Sequence, residues 1–512
     1  MRRDRALERC AAWLPALTAG LLPVVWLPVA VDSFILPRAA LAETAAGVLV
    51  GASLLTARRR LGLMGWAVLL CAVVAILAAA LSTTPVLSLV GAYGRYESLP
   101  MRLSYLGLFW GTLQLGPPQG TPDEDLRRWR GRIEVCFLAG CGVAAAEAVV
   151  HALLQLQPRP DGNLGQPDLL GVLLAMALPL LAARLVRFDG AAWRWIPLAA
   201  LLVTGLLLSS SRGAWLAALV GLGWWACRSA WERSSRDAAR IAAGVLALLG
   251  GGVALFFSTP LRALNQDTGA ARLGVWGDGL RMIAARPLLG WGEDATGLRF
   301  GAFVTADWEP GDRFDRLHSM PLDLLATQGV LGLLACSALF LLVWRGLLVS
   351  PGSTPLAGAL AAYLAWSLFD FDWVPATAPC WLLAGAALAG TYPLRESRSI
   401  FFRRTRGLLA AASVAVALLV ALPPLGADVA RYADDVQLAT RLDPLQAAYW
   451  AALQTPTGLG MAARLETTDP QVWVQLGDVT RERGHVAEAR RDYEQALAIY
   501  PYDAEARARV TG

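Results

Sequence analysis

The chain of 512 residues has only three histidines and seven cysteines, and charged residues make up only 17% of it. Soluble globular domains usually carry about 25% charged residues, so this scarcity argues against that class. The cysteines form no Cys-x-x-Cys pair and do not cluster with histidine, which argues against a disulfide scaffold and against a zinc site. We therefore expect neither disulfide bonds nor a zinc site.

Lysine is absent altogether, so all 45 basic residues are arginines, and they are scattered between apolar runs. A net charge of +5 spread in this way forms no basic patch, and we expect no nucleic-acid partner. Arginine-rich loops alternate with arginine-poor ones, and the positive-inside rule assigns the arginine-rich loops and the N-terminus to the cytoplasm. The loops predicted to face outward are 82–102, 155–168, 209–213, 258–328 and 370–373.

Apolar residues dominate the chain, at 56%. They recur in runs of about 17–25 residues, the length that crosses a bilayer as a helix, and the runs are too uniformly apolar for barrel strands. We predict an all-α fold, a polytopic bundle of about 12–13 membrane spans. The predicted spans include residues 11–31 (the first), 133–154 (the fifth) and 241–257 (the ninth). The tenth span is predicted to begin near Gly329.

The composition changes near residue 428, which predicts two units. Residues 1–427 form a transmembrane domain with a long polar loop at about 258–328, and residues 428–512 form a tail that faces outward if there are thirteen spans. The tail matches the tetratricopeptide spacing, with Thr480 where an aromatic residue is typical. The matching residues are Trp473, Leu476, Gly477, Ala489, Tyr493, Ala496 and Pro501. We predict a tetratricopeptide-like helical domain that docks a protein partner; a simple folded tail is the alternative.

His318 lies where the long polar loop meets an apolar span. An imidazole titrates near neutral pH and can take a proton from a hydroxyl group. Arg313 and Arg316 would favour its neutral form, whereas Asp312 and Asp315 would oppose them. The residues alone leave two roles open, a general base and a surface or helix-capping histidine.

Three arginines lie on loops predicted to face outward: Arg95, Arg212 and Arg272. Arg212 follows three serines at the start of a span, where a guanidinium group can reach the membrane interface as a simple anchor. The positive-inside rule disfavours arginine on this side, however, and the guanidinium fork suits bidentate binding of phosphate. We therefore favour an anion site at Arg212 over an anchor.

Several segments together resemble the O-antigen ligase family, which includes Wzy-type polymerases and protein O-oligosaccharyltransferases. His318-Ser319, nine residues and then Gly329-Val330-Leu331-Gly332 fit the family pattern H-[S/N/Q]-x9-G-x-x-G. Further similar segments are Ser211-Arg212-Gly213, Arg272 to Trp276, Pro287 to Gly292, Gly94 to Glu97 followed by Ser98 in place of glycine, and Gly162 to Pro167 with Gln166 in place of asparagine.

This resemblance implies a transferase of the GT-C kind that uses no metal or cofactor and works at the periplasmic face of the bacterial inner membrane. It implies a glycan donor on undecaprenyl diphosphate, an inverting reaction, and a glycan, lipid or protein acceptor. His318 would activate the acceptor hydroxyl, and Arg212 and Arg272 would hold the donor diphosphate. Further candidates for the site are Arg95, Ser319, Arg281 and Arg286.

Ligase, polymerase and protein transferase share these residues, so the sequence leaves the choice among them open. A transporter of lipid or glycan is a different class, but transporters usually carry charged groups near the bilayer midplane. The charges here collect at outer loops. A membrane scaffold that recruits partners through its tail would not require His318 or the outer arginines.

Overall fold

The computed structural model describes residues 10–56, 62–186, 192–232, 234–237, 239–241, 244–245, 270–310, 313–350, 352–391 and 401–511, with backbone alone at 270 and 401–404. In these ranges α-helices and short 3₁₀ turns are the only regular elements. The fold is an all-α membrane bundle, as predicted. The predicted ninth span, residues 241–257, lies almost entirely outside the described residues.

Helices of the first part of the chain are α1 (Leu14–Leu21), α2 (Ile35–Thr56), α3 (Gly62–Ala80), α4 (Pro85–Val90), α5 (Leu99–Leu115), α6 (Asp123–Leu153), α7 (Pro167–Leu185), α8 (Ile196–Leu208) and α9 (Arg212–Trp231). Those that follow up to the tail are α10 (Ala270–Ala285), α11 (Thr296–Arg299), α12 (Met320–Val349), α13 (Thr354–Ser367), α14 (Val374–Leu388) and α15 (Phe401–Tyr432). The tail contains α16 (Val436–Leu442), α17 (Ala447–Ala452), α18 (Pro456–Arg464), α19 (Pro470–Glu482), α20 (Val486–Ile499) and α21 (Ala504–Thr511).

Six of the described helices are long and apolar enough to cross a membrane: α2, α3, α6, α7, α12 and the part of α15 from Thr405 onward. The shorter apolar helices include α14 and the segment Ala192–Leu208. α7 is buried nearly all round at the centre of the bundle, which is why its sequence is apolar on every face. Peripheral helices instead expose large apolar side chains such as Leu63 and Leu341, as lipid-facing helices do.

Small residues let the helices of the bundle approach closely. Gly47 of α2 faces α15, where an added Cβ would lie 2.8 Å from the carbonyl oxygen of Ser413. Gly221 of α9 and Gly358 of α13 face each other across a second contact of the same kind. Helices in a membrane gain from close packing because lipid supplies no hydrophobic force to drive them together.

The first predicted span differs from the structure at its C-terminal end. The helical part ends at Leu21, and residues 22–31 form turns. Pro23 and Pro28 explain the difference, because proline lacks the amide hydrogen that a continuing helix requires. The prediction that this span extends to residue 31 was therefore wrong.

The tenth predicted span also begins earlier than expected. α12 starts at Met320 and is broken at Gly329, whose φ of 66° and ψ of −166° are not helical. In an unbroken helix the amides of Val330 and Leu331 would donate to the carbonyls of Ala326 and Thr327. Here both amides donate to the preceding loop, at the carbonyls of Pro287 (2.8 Å) and Leu288 (3.2 Å).

The same loop satisfies the carbonyls that the break exposes. The amide of Trp291 donates to Ala326 at 2.8 Å, and the amide of Gly292 donates to Thr327 at 3.0 Å. Two glycines permit this approach: a Cβ on Gly290 would lie 2.6 Å from the Ala326 carbonyl oxygen, and one on Gly329 would lie 2.6 Å from the Leu289 amide nitrogen. The segments Pro287 to Gly292 and Gly329 to Gly332 are therefore one structural unit.

The tail packs against the predicted outer loops, on the same side of the bundle as His318. α15 runs through residue 428 without a break, and the Asp428 carboxylate accepts bonds from the Asp32 amide (2.8 Å) and the Tyr93 hydroxyl (2.6 Å). Farther along, Glu466 accepts a bond from the Leu87 amide at 2.9 Å. The tail is thus attached to the 82–102 loop at several points.

We predict that Gly329→Ala destabilises the protein. Backbone strain in this region of φ and ψ costs a non-glycine residue on the order of 1–3 kcal/mol, and the new Cβ would also overlap the Leu288 backbone. The thermal midpoint of the purified protein in detergent should fall. Gly277→Ala is the matched control, because an added Cβ there meets nothing within 4 Å and the site is helical. Equal midpoints for the two variants would contradict this account of the break.

Candidate functional site

His318 is held in an unusual backbone conformation. Its φ is 50°, in the left-handed region that non-glycine residues rarely adopt. The neighbouring Leu317 fixes this turn: its amide donates to the Asp323 carboxylate at 3.0 Å, and its carbonyl accepts from the Trp276 indole at 2.8 Å. Strain of this kind is retained where the surroundings impose it, and it concentrates at functional sites.

The imidazole of His318 lies between two aromatic rings. The rings of Phe314 and Phe371 meet it edge-on, with centroid distances of 5.7 and 5.3 Å. The Nδ1 atom is buried and has no hydrogen-bond partner among the described residues. Buried polar atoms are nearly always bonded, so this Nδ1 is a candidate to accept a proton or a hydrogen bond from a bound molecule.

The pKa of His318 is lowered to about 4, chiefly by burial and then by the charges of Arg272 and Arg95, against the opposing effect of Asp315 and Asp168. The imidazole is therefore neutral at physiological pH, as a proton acceptor must be. The sequence left the role of His318 open, and the arginines that favour its neutral form are not the two suggested by sequence position.

Arg313 and Arg316, which the sequence suggested, have other partners. Arg313 donates to the carbonyl of Thr468 in the tail, and Arg316 is buried in an ion pair with Asp294. Arg313 and Arg316 are therefore not among the charges that chiefly lower the pKa of His318, because their side chains are directed to these partners. Asp312, the other acidic residue considered, lies outside the described residues.

Arg95 lies near His318 as an ion-paired and stacked group. Its guanidinium binds the Asp315 carboxylate through two bonds, at 2.7 and 3.0 Å. It also covers the rings of Phe371 and Trp373, at 4.9 and 4.4 Å from their centroids. Arg95 thus holds one wall of the histidine pocket in place.

Arg272 reaches the same region from α10. Its Nη1 donates to the carbonyl of Phe369 at 2.9 Å, and the Trp276 ring lies 6.4 Å from that of Phe369. The turn that contains Phe369 also contains Phe371, whose ring contacts the imidazole of His318. Arg272 and His318 therefore both contact this one turn.

Arg212 begins α9, and its N-cap residue Ser211 accepts a bond from the Ala214 amide at 3.4 Å. The start of this helix packs beside α13, where a Cβ on Gly213 would lie 3.5 Å from the Trp366 ring. Trp366, Phe369 and Phe371 belong to one short segment. The segment 366–373 consequently contacts the surroundings of all three predicted residues, Arg212, Arg272 and His318.

Asp370 in this segment was not identified from the sequence as a candidate. Burial and the charge of Asp168 raise the pKa of Asp370 to about 7, against the effect of Arg272 and Arg95. The signal that could have found it is its position, an acidic residue in a turn between two apolar spans. Asp168, on the first turn of α7, is the second acidic group of the site that sequence reasoning missed.

The remaining candidates differ in their relation to His318. Ser319 is buried at the N-cap of α12, and its carbonyl starts the helix by accepting the Asp323 amide at 2.8 Å. Arg281 pairs with Asp278, and Arg286 lies over the Trp291 ring at 5.3 Å. Arg281 thus contacts a group of its own helix, and Arg286 a group of the loop that follows it. Within the described ranges no group of three or more His, Cys, Asp or Glu side chains is arranged to hold a metal.

Residues 197–337 match the O-antigen ligase family model. The matched region contains Arg212, Arg272 and His318 together with both glycine segments that meet at the break in α12, and it ends before the tail. No curated protein matches the chain. The O-antigen ligase match supports a glycan-transferring membrane enzyme that uses a lipid-linked glycan donor and an acceptor.

We predict that activity falls on the acid side only at a pH far below that at which histidine usually titrates. A group with a lowered pKa gains its proton only at lower pH, so kcat/KM should hold as the pH falls through about 6.5 and decline only near pH 4. The measurement is transfer by the purified protein across this range. Asp370→Asn is the control, because a step near pH 7 that this change removes belongs to the carboxyl. A decline near 6.5 in both proteins would contradict the effect of burial.

Proposed function

We propose that the protein transfers a glycan from undecaprenyl diphosphate to an acceptor hydroxyl at the periplasmic face of a bacterial inner membrane. The reaction is inverting and metal-independent. The observation that carries this proposal is the neutral imidazole of His318, whose buried Nδ1 has no partner among the described residues, beside the guanidinium of Arg272. The O-antigen ligase match over the same residues supports it.

His318 acts as the general base in this proposal. The acceptor oxygen forms a bond to the anomeric carbon while its proton passes to the imidazole. The bond from the anomeric carbon to the diphosphate oxygen breaks, and its electron pair leaves with the diphosphate. A pKa near 4 makes the imidazole a weak base, but a bound diphosphate would raise that pKa by offsetting the arginine charges.

Arg212 and Arg272 hold the diphosphate in this proposal. The main task in expelling such a leaving group is to stabilise its developing negative charge with fixed donors. A guanidinium carries five N–H donors, and Arg272 directs one of them to Phe369, which orients the fork. Arg212 adds the N-terminus of α9, where helix amides favour an anion.

The tail is proposed to be a tetratricopeptide-like domain that binds a partner or the acceptor. Its last helices support this: Gly477 of α19 lies against the Tyr493 ring of α20, at the spacing predicted from the sequence. Ala489, Tyr493 and Ala496 are buried along the facing side of α20. Residues 1–427 and 428–512 are the proposed functional division, although α15 is continuous across it.

A polymerase of the Wzy type and a protein O-oligosaccharyltransferase would use the same residues. Glycan profiles of a deletion strain separate these activities. Loss of a ligase leaves unattached glycan of normal length, loss of a polymerase leaves single units that remain attached, and loss of a protein transferase leaves one protein unglycosylated. A transporter or a scaffold is less consistent with the site, because neither requires a neutral histidine beside arginines at the helix ends.

We predict that His318→Ala lowers turnover by about 10²–10⁴-fold, the usual contribution of a positioned base. Binding of the lipid-linked donor should be nearly unchanged, because the arginines supply it. The measurement is transfer by the purified protein with defined donor and acceptor. His485→Ala is the matched control, since His485 is an exposed histidine of the tail. Wild-type turnover in His318→Ala would rule out the mechanism.

We predict that Arg212→Lys and Arg272→Lys each lose most activity although the charge is kept, because an ammonium group cannot make the bidentate contact of a guanidinium. Donor affinity and turnover are measured on protein that inserts and purifies normally. Arg281→Lys is the control, because Arg281 pairs with Asp278 on its own helix. If the first two variants keep the donor affinity and turnover of Arg281→Lys, the guanidinium groups of Arg212 and Arg272 do not hold the diphosphate.

A further inference from the structure

Helix α16, the first of the tail, returns along the end of α15. The chain reverses where the Asp435 amide donates to the Ala430 carbonyl at 2.9 Å. Ala439 is then buried in a small cluster with alanines of α15. Leu442 lies over Gly426, with its Cδ1 3.5 Å from the position that an added Cβ would take there. α16 therefore runs back toward the membrane bundle.

The depth of Gly426 in the bilayer follows from the length of α15. The apolar part of this helix begins after Arg406, and the next charged residue in the sequence is Asp428. A helix needs about 20 residues to cross the hydrocarbon core, so a span that starts at residue 407 ends near Gly426. Leu442, which lies over Gly426, is therefore at the level where the hydrocarbon meets the headgroups.

The exposed apolar stripe of α15 leads directly to α16. Val416 and Leu419 are exposed on the outside of the bundle, as lipid-facing residues are. Steps of three and four residues stay on one face of a helix, so Pro423 and Gly426 continue this stripe. Because Leu442 covers Gly426, the lipid-facing surface passes from α15 onto α16.

α16 presents leucines on the side turned away from α15. Leu438 and Leu442 lie one helical turn apart, Leu445 follows them, and each is about 40% exposed. Arg441 is exposed beside them, and a guanidinium on a long stem can reach lipid phosphates while the stem covers apolar surface. The carboxylate of Asp435 caps the other end of the helix, about 10 Å farther from the bilayer. The polarity along α16 thus matches its depth.

We propose that the leucine face of α16, formed by Leu438, Leu442 and Leu445, inserts into the headgroup region of the bilayer and anchors the tail there. The partner is the lipid surface itself, and Arg441 contacts a headgroup phosphate. This inference goes beyond the proposed glycan transfer and does not depend on it.

A protein partner fits this face less well than lipid does. Stable protein interfaces bury about 1,200–2,000 Å² in total, which is far more than three partly exposed leucines supply. A partner of that size would also have to cover the adjoining stripe of α15, which lies inside the bilayer. Exposed apolar surface that continues a lipid-facing stripe is typical of a membrane contact.

The anchored segment also bonds to the 82–102 loop and to the end of the span. Gln446 donates to the buried Gly91 carbonyl at 3.2 Å, and the Tyr449 hydroxyl donates to the Pro424 carbonyl at 3.2 Å. Lipid on one side and this loop on the other would hold the start of the tail at a fixed height. The tail then lies close to the membrane surface on the side of His318.

The test measures the depth of a spin label on the full-length protein in lipid nanodiscs that hold one copy. p-Acetylphenylalanine is introduced at Leu442 and carries the label, so the native cysteines stay unchanged. Collision rates with oxygen, which concentrates in hydrocarbon, and with a neutral nickel chelate, which stays in water, are compared. Leu419, which is 73% exposed on α15, is the lipid reference. Val486, which is 65% exposed on the tail, is the matched control in water.

The label at position 442 should collide more often with oxygen than with nickel, as at 419, whereas the label at 486 should show the reverse. A label at 438 should lose its excess of oxygen collisions when Leu442→Glu and Leu445→Glu are combined, and should keep it in Val486→Glu. A label at 442 that matches the one at 486 would overturn the proposal. So would protection from both reagents in nanodiscs that hold two copies but not in those that hold one, because a second copy would then cover the face.

Discussion

The break in α12 at Gly329 is the constraint on which the arrangement of the site depends. A broken helix inside a membrane exposes backbone groups that water cannot satisfy, and each such group costs several kcal/mol. Here four hydrogen bonds to residues 287–292 satisfy them. The segment before the break can therefore run in a different direction from the segment after it, and Met320 lies next to the turn that contains His318. Two separate glycine segments are thus explained by one backbone contact.

A buried cluster of charge extends this contact to the rest of the site. Arg102 of α5 binds Glu293, at 3.2 Å, and Asp372. Glu293 also accepts a bond of 2.6 Å from Gln328, the residue before the break, and Asp372 accepts one of 2.7 Å from Tyr363. One arginine therefore joins the loop, the break and the turn 366–373. Removal of one partner from a buried pair typically costs about 3–5 kcal/mol, so the cluster holds these elements in register.

The sequence was sufficient for those features that depend on local composition. Apolar runs predicted most of the helices, and the spacing around His318 resembles the family whose model matches residues 197–337. It failed where a contact joins distant positions. Nothing near Phe371 indicates that its ring meets an imidazole 53 positions earlier, and Asp370 gains its raised pKa only from a fold that buries it and brings Asp168 near it. Hydropathy also placed the start of α12 at Gly329, because the polar half before the break resembles a loop.

The charge state of His318 follows from these long-range contacts. Burial and the charges of Arg272 and Arg95 keep the imidazole neutral, and Arg272 is one of the two arginines proposed to hold the diphosphate. In the proposed mechanism, a bound diphosphate would cancel part of the positive charge and raise the basicity of the imidazole when a proton acceptor is needed. Without the donor the weak base would also be slow to activate water. Donor binding would thus raise the base strength of His318 through electrostatics.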